Sequence, residues 1–96
     1  LSVHDEVEFD VDEAALWYQA EGGRELADDF LAEVQATLER ILEGPEKYQA
    51  VHANVRRAPM RRFPYGVYFR CDGSLRVHVV AVVSLERRPL HWTTRL

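Results

Sequence analysis

Cysteine, lysine and methionine are almost missing from this 96-residue chain, and so are long apolar runs. Cys71 is the single cysteine, which excludes an intrachain disulfide and a cysteine-built zinc cluster. A lone thiol fits a reducing, cytoplasmic location. No apolar run approaches the roughly 20 residues of a membrane span, and no signal-peptide pattern opens the chain. The first residue is Leu1 rather than Met, which implies a few residues missing from the front. There is no phosphate-binding glycine loop, dinucleotide fingerprint or nucleophile elbow, so no cofactor is expected. The carboxylates of residues 5–46 lack metal-ligand spacing, so no metal site is expected either. Asp28, Asp29 and Glu33 read instead as a solvated helix face.

What is present is ordinary globular material, 47% hydrophobic and 29% charged. The length suits one domain, 1–96, that buries roughly two-thirds of its unfolded surface. The net charge of −4 conceals a strong asymmetry. Residues 1–46 carry fourteen acids against Arg24 and Arg40, a formal −12. Residues 47–96 carry ten bases against Asp72 and Glu86, a formal +8. Such a split points to an acidic or polyanionic partner for the basic half. Eleven of the twelve bases are arginine, with Lys47 the exception. Arginine offers a planar, permanently charged fork suited to phosphates and carboxylates.

Apolar periodicity divides the chain. Leu26, Phe30, Val34, Leu38 and Ile41 recur at helical spacing over 24–43, and Gly44-Pro45 stops the helix. Gly22-Gly23 separates it from an earlier segment whose Val7, Phe9 and Val11 alternate like a strand. Val7, Val11, Ala14 and Tyr18 also form a helical stripe, and a helix over about 5–21 capped by Asp5 is the preferred reading. Trp17 and Tyr18 are expected to pack it against the second helix or the sheet. Leu1-Ser2-Val3 is then the remnant of a first strand. After Pro45 the composition turns to Val, Tyr, Phe and Arg, which favours strands at 54–60, 65–71 and 75–84. Asp72-Gly73 signals a hairpin between the last two. Pro59 places an edge or a bulge in the first. Val79–Val83 lacks alternation and reads as a central strand buried on both faces. The expected fold is α+β: a short N-terminal strand, a two-helix hairpin and a three-stranded antiparallel meander.

In this order the segments AALWYQA, ELADDFLAEVQATLERILEGPEKY, VRRAPMRRFPYGVYFR and VVAVVSLERRPLHWTTRL resemble the RelE/ParE superfamily of bacterial toxins. The most specific piece is RRFPYGVYFR followed by a hydrophobic strand and the RRPLHW segment. The resemblance spans nearly the whole chain. It implies a toxin held inactive by a cognate antitoxin whose C-terminal segment wraps it in a hetero-oligomer. RelE-like members cut mRNA on the ribosome, ParE-like members poison DNA gyrase, and many have no demonstrated target.

Residues 56, 57, 61, 62, 70, 87 and 88, all arginine, are the candidate partner-binding set with Trp92, which matches a tryptophan near the end of many ParE-like members. The arginines also read as a solvated face or as partners of the acidic helices, and Trp92 reads more simply as packing back on the sheet. Strand alternation lets only about half of these arginines serve one face. Phe63, Pro64 and Tyr65 read as a structural lead-in to their strand. A metal-free ribonuclease needs a general base, an acid and cations around the phosphate. His91 is the candidate base, with Arg56, Arg70 and Arg87 as phosphate ligands. Against this reading, the C-terminal segment has no tyrosine, the sheet almost no lysine, and the chain is net acidic, unlike a ribosome binder. The ParE-like, gyrase-directed reading is preferred over the mRNA endonuclease, and a non-toxic antitoxin-binding member is a third class.

Overall fold

The computed structural model describes residues 1–73, 76–86 and 90–96, with side chains in the last stretch from Trp92 onward. Five strands, β1 (Ser2–Val3), β2 (Ala50–His52), β3 (Val55–Pro59), β4 (Tyr65–Asp72) and β5 (Arg76–Ser84), form one sheet in the order β1-β5-β4-β3-β2. A helix, α1 (Val7–Glu43), covers one face, and a 3₁₀ segment over Leu90–Arg95 follows β5. β1 runs parallel to β5, whereas the other neighbours are antiparallel.

This corrects the expected two-helix hairpin and three-stranded meander. One helical element, Val7–Glu43, stands where two were expected, and the sheet is five-stranded and mixed. The physical reason for the first difference lies at the glycine pair. Gly22 (φ −143°, ψ 16°) and Gly23 (φ 81°, ψ −175°) leave helical geometry, yet no loop separates the turns on either side, so α1 is kinked rather than interrupted. Gly23 occupies a backbone region open essentially to glycine alone. The kink is sharp. The Tyr18 and Phe30 rings lie 5.2 Å apart, where a straight helix would separate their backbones by about 18 Å. The second difference arises because β1 and β2 are too short to carry a periodic pattern. Each is held by the longer strand beside it.

α1 begins at Val7, which resolves 7–11 as helix, and Asp5 does not cap it. The N-cap position is Glu6, whose N–H donates to His4 Nδ1 at 3.1 Å. Glu8 and Asp10 sit in the first turn, where the helix dipole favours acids. Glu33 is a further correction. It is only 8% exposed, and its carboxylate is met by Arg40 Nη2 at 3.2 Å beside the buried Thr37. The reading of Glu33 as solvated fails because Arg40, seven residues on, folds back over it.

The core has two sides. Toward α1, Val7 and Ile41 pack on Ala58, Val67, Phe69, Val77, Val79 and Val82. At the kink, Ala14, Tyr18, Phe30 and Val34 close on Met60 and Phe63. The opposite sheet face carries Val55, Tyr68, Val80, Ala81, Val83 and Trp92. β5 is thus buried on both sides, as its unbroken Val79–Val83 run requires. Its register against β4 shifts between Tyr68 and Phe69, a bulge that turns both Val80 and Ala81 away from α1. Pro59 closes β3 at an exposed position beyond the reach of β2.

Candidate partner-binding face

The sheet face away from α1 is built by strand alternation. Arg57 on β3 stands opposite Tyr68 on β4, and Arg70 on β4 stands opposite His78 on β5. Because Phe69 and Ala58 face α1, Tyr68, Arg57 and Arg70 face the other way. Trp92 lies on this face, 1% exposed, with its ring 5.1 Å from Tyr68 and 5.8 Å from His52. The Tyr68 hydroxyl and the Trp92 Nε1 are both buried, with no hydrogen-bond partner among the described residues. The result is an aromatic plug bordered by arginines.

The electrostatics of the border are specific. Arg70 Nε donates to Asp72 Oδ1 at 3.1 Å, so part of its charge is offset within β4. His78 Nδ1 lies 2.7 Å from the Ser2 hydroxyl. Burial and then the Arg70 guanidinium push the His78 pKa below its ordinary 6.5, with Asp72 opposing and His4 adding to the depression. The imidazole is therefore neutral at pH 7.

The other arginines disperse. Arg56 alternates with Arg57, points to the α1 side and donates to the Tyr48 carbonyl. Arg61 and Arg62 are exposed on the loop after β3. Arg62 meets Asp29 of α1 at 3.4 Å and lies 5.7 Å from the Phe63 ring. Arg87 and Arg88, and the side chain of His91, lie outside the described residues. Arg57 and Arg70 are thus the two arginines of the expected set that the structure brings to one sheet face, beside Trp92. Trp17 departs from its expected packing role, being 56% exposed, while Tyr18 is buried against Phe30 and Phe63.

Sequence reasoning missed the pair that anchors the C-terminal segment. Arg95 Nη1 and Nη2 reach the Asp10 carboxylate at 2.7 and 3.0 Å, and Nη1 also donates to the Val80 carbonyl at 3.0 Å. Asp10 Oδ2 accepts the Val82 N–H at 3.1 Å. Together the two side chains satisfy edge groups of β5 beyond the end of β1, the function a further strand would serve. The hydrogen bond to Asp10 raises the Arg95 pKa against the opposing effect of burial. Residues 10 and 95 are too far apart in the chain for any local pattern to link them. Among the described residues, no three His, Cys, Asp or Glu side chains come together as a metal site, and no helix is long and apolar enough to cross a membrane.

The fold has a solved counterpart. A chain of the chromosomal ParDE toxin–antitoxin system from P. aeruginosa superposes with a TM-score of 0.75 at 16% identity, covering 88% of this chain and 95% of that one. At that identity the likeness concerns the fold. No curated protein matches the sequence. The family described as the ParE toxin of the type II toxin–antitoxin system, parDE, matches residues 1–89. The chain therefore belongs to the ParE toxin family.

Proposed function

We propose that this chain is the toxin of a type II toxin–antitoxin pair, assembled with and neutralised by a cognate antitoxin in the cytoplasm, and that it acts by binding DNA gyrase. Family membership over residues 1–89 supports the antitoxin partnership. The observation that favours binding over RNA cleavage is the aromatic plug that covers the sheet face away from α1. Trp92, 1% exposed, lies on Tyr68 where a nuclease would need room for a phosphate among its cations. Arg56, one of the three arginines that a nuclease reading assigns to the phosphate, points to the opposite side of the sheet from Arg70. Arg57 and Arg70 border the plug and offer guanidinium forks to a carboxylate-bearing partner.

The test uses the purified chain with gyrase and, separately, with translating ribosomes. Inhibition of supercoiling, relieved by the antitoxin, with ribosome-bound mRNA left intact is the expected result. Cleavage of ribosome-bound mRNA that is lost in His91→Ala overturns the gyrase reading in favour of the endonuclease. Absence of growth arrest when the chain is expressed without its partner overturns toxicity altogether and leaves an antitoxin-binding protein.

A further inference from the structure

A cleft of about 520 Å³ opens between the first half of α1 and the end of the sheet where β4 begins and β5 finishes. No residue of the arginine-bordered face lines it. Its walls are aromatic, formed by Trp17, Tyr18 and Tyr65 with Pro64, and each side contributes a carboxylate, Glu13 from α1 and Glu86 from beyond β5. Trp17 meets Tyr18 edge-on at 5.0 Å, and the Tyr18 and Tyr65 rings are 6.0 Å apart. Trp17 is 56% exposed, a large apolar side chain left in solvent on a helix whose neighbouring aromatic is buried. Among the described residues, neither Glu13 nor Glu86 takes part in an ion pair.

The chemistry of these walls selects a cation. Anions are repelled by two carboxylates, and a neutral apolar group would use the aromatic walls alone and gain nothing from either carboxylate. Tyr18 adds no positive counterpart. Burial, then Tyr65 and Glu86, push its pKa above the ordinary 10.0, so its hydroxyl remains neutral and available as a polar wall. A cation over an indole face is attracted by the ring quadrupole, and a planar guanidinium stacks there while its edge donors reach carboxylates. A compact ammonium has no plane to stack. The acidic character of residues 1–46 reinforces the selection over a longer range.

We infer that this cleft is a receptor for an arginine side chain presented by a polypeptide partner, with the guanidinium stacked on Trp17 and donating to Glu13 and Glu86. A polypeptide is favoured over a free small cation by the size of the cleft. The cleft, at about 520 Å³, is far larger than a guanidinium alone and has room for the side chain that carries it and the backbone beside it. The inference holds for any arginine-bearing partner and is independent of the gyrase reading.

The test is an NMR titration of the ¹⁵N-labelled chain with the peptide acetyl-Ala-Arg-Ala-amide, read at the Trp17 indole N–H, with the buried Trp92 indole as an internal reference. A saturable shift at Trp17 alone is expected. Replacing the peptide's arginine by citrulline, which keeps the shape and removes the charge, is expected to weaken binding at least about tenfold. Glu13→Gln with Glu86→Gln should weaken it by about as much, with the rest of the spectrum unchanged because both side chains are exposed. No saturable shift, or equal binding of the citrulline peptide, overturns the inference. Agmatine binding more tightly than the peptide overturns the assignment to a polypeptide and makes the cleft a site for a free guanidinium compound. Gyrase takes no part in the assay, so its outcome is separate from that of the supercoiling test.

Discussion

The Asp10–Arg95 pair provides the most direct test of how the C-terminal segment is held. Arg95→Met keeps the aliphatic stem and removes the guanidinium. It deletes two bonds to Asp10, at 2.7 and 3.0 Å, and one to the Val80 carbonyl at 3.0 Å. The contact to Glu6, at 3.4 Å with a carboxylate that is 61% exposed, contributes almost nothing. Asp10, 12% exposed in the intact fold, is left with the Val82 N–H as its hydrogen-bond donor among the described residues. Breaking a buried pair from one side costs about 3–5 kcal/mol, because the remaining charge is uncompensated. Water can reach Asp10 once the Leu90–Arg95 segment loosens, so the lower end, about 3 kcal/mol, is expected. For a domain of this size that lowers Tm by about 12–24 °C. Urea denaturation should show the loss in midpoint at an unchanged slope, and Trp92 emission should shift to the red as the segment lifts from Tyr68. Asp10→Asn combined with Arg95→Met should be less destabilised than Arg95→Met alone, since no buried charge is stranded. A loss below about 1 kcal/mol, with Trp92 emission unchanged, would show that the pair does not anchor the segment.

Three further outcomes are expected. Trp92→Ala removes a fully buried indole from Tyr68 and should cost about 3–5 kcal/mol by chemical denaturation, a loss that Trp92→Phe should largely restore. Gly23→Ala meets no atom within 4 Å but is forced into φ 81°, ψ −175°, so it should cost about 1–3 kcal/mol through the backbone alone, measured as a fall in Tm. Because the folded state holds the His78 pKa below 6.5, the unfolded chain binds more protons as pH falls through that value, so stability drops on acidification and is full above pH 6.5. His78→Gln should flatten the part of the stability–pH curve between 6.5 and the depressed folded value, and an unchanged curve would place the acid sensitivity elsewhere.

Much of the architecture is legible in particular residues. The end of the stripe at Ile41, the Gly44-Pro45 stop and the Asp72-Gly73 turn are local signals, and each lies within a residue or two of the end of α1 or of β4. The glycine pair marks the break in helical geometry, but not that α1 continues through it. Ser2–Val3 and Ala50–His52 are too short to show a period, and their pairing depends on the strands beside them. The face of each arginine is harder still. Arg56 and Arg57 are separated by simple alternation, yet the bulge opposite Tyr68 and Phe69 resets parity along β5, and a Val79–Val83 run with no polar residue gives no sign of it. Trp17 and Tyr18 are adjacent aromatics whose fates differ, one in solvent and one in the core, because a helix turns by about 100° per residue.

By itself the sequence determined the types of the longer elements, the acidic and basic halves and the toxin family, because these depend on periodicity, composition and a motif order carried along the chain. Only the tertiary structure decided that Arg57 and Arg70 share a face with Trp92, that Asp10 and Arg95 close the β5 edge, and that Glu13, Trp17 and Glu86 meet around one cleft. Those groupings join side chains distant in sequence, and they exist only once the kink at Gly22-Gly23, the β5 bulge and the parallel pairing of β1 have set the geometry between elements.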